Sequence, residues 1–173
     1  MSVLEKFKSI RTFVFDVDGV MTDGSVLVFD TGEQIRRMNT RDGYSLQLAI
    51  KKGYRVVVIS GGSSEGVRLR LQYLGIQDIF LNIHNKVDVL RHYARENRLD
   101  EKDMLYMGDD IPDLEPMNYV GLACAPADAA PEIKHIAGYI SSFGGGHGCV
   151  RDVIEKVLKL NGHWELDQSV SSK

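Results

Sequence analysis

The chain has 173 residues, 43% of them hydrophobic and 26% charged, with a formal net charge of -3 at pH 7. That composition fits one globular domain with a full core, and its slight acidity excludes a broad basic face for nucleic acid. No apolar run approaches the ~20 residues of a membrane span. The opening MSVLEKFKSIR lacks the apolar core of a signal peptide. Two cysteines without metal-type spacing, Cys124 and Cys149, fit a reduced, cytoplasmic protein.

Taken in chain order, β-rich runs alternate with helical patterns. Phe13–Val17 reads as a first strand. Ser25–Phe29 and Gln34–Met38 flank a Thr-Gly turn and suggest a hairpin. Asp42–Lys52 is predicted helical and stops at Gly53. RVVVIS is a near-continuous apolar strand, as expected when helices cover both faces of a sheet. Ser63–Leu74 is helical, DIFLN a short strand, Lys86–Asn97 a helix and DMLYMG a strand. A short helix over Asp113–Met117 precedes a strand YVGLA. A helical turn at Ala129–His135, a strand GYIS and a helix over Cys149–Leu160 complete the series. The pattern predicts an α/β fold: a three-layer, Rossmann-like parallel sheet flanked by helices, with a small β-hairpin insertion and no large cap domain. Residues 1–162 form one domain in this reading, and residues 163–173, ending in ELDQSVSSK, a flexible tail.

In parallel sheets ligands bind beyond the carboxyl ends of the strands. Those ends carry Asp16 and Asp18, then Ser60 with Gly61 and Gly62, then Gly108 with Asp109 and Asp110. The helix from Lys86 starts near the same rim. Asp16, Asp18, Asp109, Asp110 and Asp113 cannot crowd together ionised without a cation. Oxygen-only ligands favour a hard ion such as Mg²⁺, which pairs with phosphate. One aspartate could then attack phosphorus and form an aspartyl-phosphate. The second, two residues on and on the same side of an extended chain, could protonate the leaving oxygen and later activate water. Ser60 with the following glycine amides makes an anion cradle, and Lys86 adds a compact positive charge.

DVDG at Asp16–Gly19, Ser60 after an apolar strand, Lys86, and GDDIPD at Gly108–Asp113 together resemble the haloacid dehalogenase superfamily of phosphotransferases. The resemblance implies Asp16 as nucleophile and Asp18 as general acid/base. It implies Mg²⁺ held by Asp16, Asp18 through its main-chain carbonyl, and Asp109, with Asp110 and Asp113 supporting the metal shell. Ser60, Gly61 and Lys86 would bind the phosphoryl group. DVDGVMTDG, the hairpin, NTRDGYSLQLAIKKGYRVVVISG and GGGHGCVRDVIEKVL are similar to the branch of that superfamily that hydrolyses the 8-phosphate of an eight-carbon 2-keto sugar acid of lipopolysaccharide. A nine-carbon 9-phosphate is the alternative substrate, and a receiver-like phospho-aspartate domain the alternative class. FLNIHNK, however, has no aspartate where a receiver needs one. The branch also implies a homotetramer. About 23 residues separate Asp18 from Asp42, enough for a hairpin only, so neighbouring subunits would complete the lid over a small sugar-acid phosphate. Thr40 and Asp42 could face the substrate, and Arg68 or Arg70 could reach its carboxylate. The glycine-dense FGGGHGCVR could be mobile.

Overall fold

A computed structural model describes residues 2–165 and 167–171. A helix not foreseen in the sequence comes first, α1 at Val3–Ser9. Its signal is a capping box: Glu5 N donates to Ser2 Oγ (3.3 Å) and Ser2 N to Glu5 Oε2 (2.6 Å). Then follow β1 (Thr12–Phe15), β2 (Leu27–Val28), β3 (Gln34–Ile35), α2 (Thr40–Lys51), β4 (Arg55–Ile59), α3 (Glu65–Tyr73), β5 (Asp78–Phe80) and α4 (Lys86–Glu96). β6 (Met104–Met107), α5 (Leu114–Tyr119), β7 (Leu122–Ala125), α6 (Pro131–Ile136), β8 (Tyr139–Ile140) and α7 (Cys149–Leu160) complete the order.

Six strands form a parallel sheet in the order β5-β4-β1-β6-β7-β8, and β2 and β3 form a separate antiparallel pair. This is the expected Rossmann-like architecture, with helices on both faces and the hairpin inserted between β1 and α2. β7 differs from expectation. Tyr119 ends α5 and β7 starts at Leu122, not Tyr119. The reason is Gly121, whose N–H donates to Glu101 O at 2.7 Å and whose missing Cβ would sit 2.2 Å from Lys102 O.

The pleat divides the core in two. Phe13, Phe15, Val56, Val58, Leu105 and Met107 face one apolar layer with residues of α1, α2, α3 and α7. Val14, Val57, Ile59, Met104 and Tyr106 face the other, with residues of α4, α5 and α6. β1 lies between β4 and β6, with Phe15 opposite Val58 and Met107. The three motif-bearing strand ends are therefore neighbours. Asp16 continues the even-numbered series of Val14, which turns it toward the α4 side of the sheet.

Residues expected as a tail lie along α2 and α7. Trp164 packs edge-on to Tyr44, with the Arg151 guanidinium over its ring. Lys51 pairs with Asp167 (2.6 Å) and Tyr54 OH meets His163 Nδ1 (2.9 Å). Positions 166, 172 and 173 of that segment lie outside the described residues.

Phe13 is fully buried, with ring centroids 6.1 Å from Phe15 and 5.6 Å from Tyr54. Phe13→Ala is expected to cost about 3–5 kcal/mol, read as a lower urea midpoint with an unchanged m-value.

Candidate active site

β1 delivers Asp16 into the interior, only 6% exposed. Its main-chain N–H donates to Met107 O (3.1 Å), which locks the end of β1 to β6. α4 begins at Lys86, capped by Asn85, so a buried lysine enters from a helix start. Lys86 Nζ lies 3.0 Å from Asp16 Oδ1 and donates to Asp113 Oδ1 at 2.8 Å. Tyr106 OH donates to the same Asp113 Oδ1 (2.7 Å), and Asp109 N to Asp113 Oδ2 (3.1 Å). Asp16, Asp109 and Asp113 place carboxylate oxygens within 4.8 Å of one another.

One ammonium faces three carboxylates, an imbalance equal to the charge of one divalent cation. Each carboxylate pair at that range repels by about 3–4 kcal/mol at an effective dielectric near 20. Burial and that crowding together raise the proton affinity of two of the carboxyl groups. Burial, then the charge of Asp113, push Asp16 up to about 7. Burial, then Asp16 and Asp113, do the same to Asp109. Burial alone would lower Lys86, but the two carboxylates outweigh it and hold the ammonium above its usual range. Asp16 Oδ1 is also buried without a well-angled hydrogen bond, since its contact with Lys86 is an ion pair off hydrogen-bond geometry. A hard dication fits this donor set: all oxygen, with one ammonium set against three carboxylates.

Asp18 is held differently. Arg36, from just beyond β3, donates from Nε to Oδ1 (2.7 Å) and from Nη2 to Oδ2 (3.1 Å). The arginine side chain is 8% exposed. Nothing in the sequence reading singled out Arg36. Gly19 turns away at φ +84°, and a Cβ there would lie 2.0 Å from Asp109 Oδ2, so only glycine lets the two segments meet.

Ser60 is buried at the end of β4, and its Oγ accepts from Gly62 N (3.2 Å), which leaves the hydroxyl proton free to donate. Gly61 is exposed beside it. Asp110 is exposed too. Its Oδ1 accepts from Ile111 N (2.8 Å) and caps the 3₁₀ turn Ile111–Asp113.

A cleft of about 770 Å³ opens between the hairpin and the start of α3, lined by Gln34, Arg36, Thr40, Ser64 and Arg70 among others. Arg36 therefore touches both this cleft and Asp18. Arg68 is not on its wall and pairs with Glu65 (3.5 Å) on its own helix. Asp42, expected near substrate, is also elsewhere. It is 3% exposed, and its Oδ1 accepts from Arg151 N (2.8 Å) at the start of α7, while Oδ2 is buried without a partner. The carboxylate that would follow the hairpin into the site is used as a helix cap.

Comparison with known proteins places these features in a family. A family model of haloacid dehalogenase-like hydrolases matches residues 72–150. The 3-deoxy-D-manno-octulosonate 8-phosphate phosphatase of Escherichia coli K12 is 33% identical over 96% of this chain and 88% of its own. A structure of that phosphatase from Yersinia pestis superposes with a TM-score of 0.91 at 31% identity, covering 93% of this chain and 87% of that one. The Moraxella catarrhalis enzyme, solved with a magnesium ion, a phosphate ion and a KDO molecule, is 30% identical. Its TM-score is 0.88, with 91% of this chain and 90% of that one covered.

Burial raises Asp42 from an ordinary 3.8 to about 6. The folded state thus binds this proton more tightly than the unfolded chain, and ionising the group costs stability as pH rises through 6. Asp42→Asn retains an acceptor for Arg151 N. It should melt higher than the wild type at about pH 8 and equally at about pH 4, as scanning calorimetry at the two pH values would show.

Proposed function

This chain belongs to the haloacid dehalogenase superfamily and is a phosphatase, and from that premise we propose that it hydrolyses 3-deoxy-D-manno-octulosonate 8-phosphate to the free sugar acid and phosphate. The observation that carries the substrate is likeness over 91% of this chain to the Moraxella catarrhalis enzyme solved with magnesium, phosphate and KDO. The setting would be the cytoplasm, on the route to lipopolysaccharide. Among the described residues no helix is long and apolar enough to cross a membrane.

Asp16 attacks phosphorus in line and the phosphoryl group moves to its oxygen, giving an aspartyl-phosphate. Asp18 gives its proton to the departing sugar oxygen, then takes one from the water that cleaves the acyl-phosphate. Lys86, Ser60 and the Gly61 amide hold the phosphoryl oxygens as charge develops. Asp16, the Asp18 carbonyl and Asp109 would hold Mg²⁺, which offsets the repulsion between carboxylate and phosphate when bound. Asp113, with both oxygens already hydrogen-bonded, anchors Lys86 and the Asp109 backbone. Arg36 must exchange its grip on Asp18 for the substrate as the proton moves. Its place on the cleft wall suits that exchange, and Thr40 and Arg70 are the cleft groups best placed for the sugar acid.

Assembly as a tetramer is part of the same proposal. The hairpin exposes Val26, Leu27, Val28, Phe29 and Ile35, an apolar set that a neighbouring subunit would cover while closing the cleft.

Asp16→Asn should remove turnover of the 8-phosphate by more than about 1,000-fold without lowering the melting temperature. Chelation of divalent metal should stop the wild-type enzyme. Substrate identity is tested by kcat/KM across eight-carbon, nine-carbon and hexose phosphates. The eight-carbon ester should lead by at least about tenfold, and a lead for the nine-carbon ester would reassign the substrate. Light scattering at working concentration should give four times the chain mass of 19.4 kDa.

A further inference from the structure

The glycine-dense segment before α7 is packed against the back of the nucleophile's loop. Val20, Met21 and Thr22 all donate main-chain N–H groups to Val17 O (3.2, 2.9 and 3.1 Å), so the chain after Asp16 closes into one tight turn. Two atoms of the segment's end grip that turn at the same carbonyl. Gly146 N donates to Val20 O at 2.9 Å and Cys149 Sγ to Val20 O at 3.2 Å.

There is no slack between the layers. A Cβ on Gly145 would lie 2.0 Å from Gly19 O and 2.7 Å from Thr22 O. A Cβ on Gly146 would lie 2.7 Å from Asp23 N. A Cβ on Gly19 would in turn lie 2.0 Å from Asp109 Oδ2. The Gly19 backbone thus lies close both to the Gly145 backbone and to the Asp109 carboxylate. The segment is fastened at both sides: Gly145 N donates to Asp128 Oδ1 (2.9 Å), and Asn39 Nδ2 donates to Gly146 O (3.1 Å).

We propose that Gly144–Gly146 is a positioning strap that sets the separation of the Asp16 and Asp109 carboxylates by pressing on Gly19, with Asp128 and Asn39 as its fasteners. The proposal rests on the metal-dependent reading above. The expected mobile loop is, on this account, a fixed wedge. Pushing Gly19 outward from Gly145 drives it onto Asp109, and a carboxylate displaced by a few tenths of an ångström no longer shares a small cation with Asp16.

The test is direct Mg²⁺ binding by titration calorimetry, without substrate, on the wild type and three variants. Gly145→Ala should weaken Mg²⁺ binding by about 10- to 100-fold and lower kcat more than KM for the phosphate ester. Asp128→Ala loosens the strap without inserting an atom, and should weaken Mg²⁺ binding by about threefold while remaining folded. Gly121→Ala is the control. Its Cβ would lie 2.2 Å from Lys102 O, a comparable clash far from the strap, so it should lower the melting temperature and leave Mg²⁺ affinity alone. If Gly145→Ala fails to fold, Asp128→Ala decides the matter. Mg²⁺ affinity equal to wild type in the folded strap variants, or weakened as much in Gly121→Ala, overturns the strap. A wild type that binds no Mg²⁺ overturns the metal reading itself, and the strap with it.

Discussion

Three carboxylates share one ammonium in the interior of this protein, and most of the surrounding geometry makes that tolerable. Asp113 is the most fully engaged: its Oδ1 receives Lys86 Nζ and Tyr106 OH, and its Oδ2 receives Asp109 N. A carboxylate holding three donors is a fixed anion, spent on positioning. Asp16 and Asp109 lack that compensation, and both are pushed up to about 7. The unbalanced charge thus rests on the two groups that face the space where a cation and a phosphoryl group would sit. A tyrosine buried beside them stays protonated, since burial, then the Asp113 charge, raise it far above its usual range. It therefore keeps the proton that it donates to Asp113.

The sheet explains how such a cluster arises from residues so distant in sequence. Parallel pairing places the ends of β4, β1 and β6 side by side, and each strand stops where its polar residue begins. The pleat then sorts sides. Val14 and Tyr106 belong to the α4 layer, and the even-numbered series carries Asp16 to the same side, where Lys86 opens α4 and Asp113 closes a 3₁₀ turn. Burial on both faces keeps water from screening the interaction, which is why the carboxylates respond so strongly.

Much of this was legible in the sequence because it depends on local pattern. Apolar runs ending in Asp, Ser-Gly-Gly or Gly-Asp-Asp mark strand ends, and Lys86 opens a helix near the same rim. Those signals located the rim. Less was legible where a side chain's job is set by a distant partner. Asp42 follows the hairpin and could have faced substrate, but α7, more than a hundred residues later, arrives with an uncapped N-terminus and takes it. Asp110 and Asp113 look alike in GDDIPD, yet one is an exposed turn cap and the other is buried, with Lys86 and Tyr106 on one oxygen. α1 was signalled by Ser2 and Glu5 but is too short to show a period. The glycines of FGGGHG suggest freedom when read alone. Gly145 and Gly146 instead lie so close to Gly19, Thr22 and Asp23 that the absence of Cβ atoms is what permits contact.

Arg36 is the residue whose role could only come from the fold, and it ties the hairpin to the chemistry. It leaves the hairpin's second strand, lines the cleft, and grips both oxygens of Asp18. A bidentate pair of this kind fixes the Asp18 carboxylate in place, and an anionic group arriving in the cleft would compete with it for the same guanidinium. The hairpin is too small to exclude water as a cap domain would. By carrying Arg36 it still ties the wall of the cleft to the Asp18 carboxylate at the end of β1.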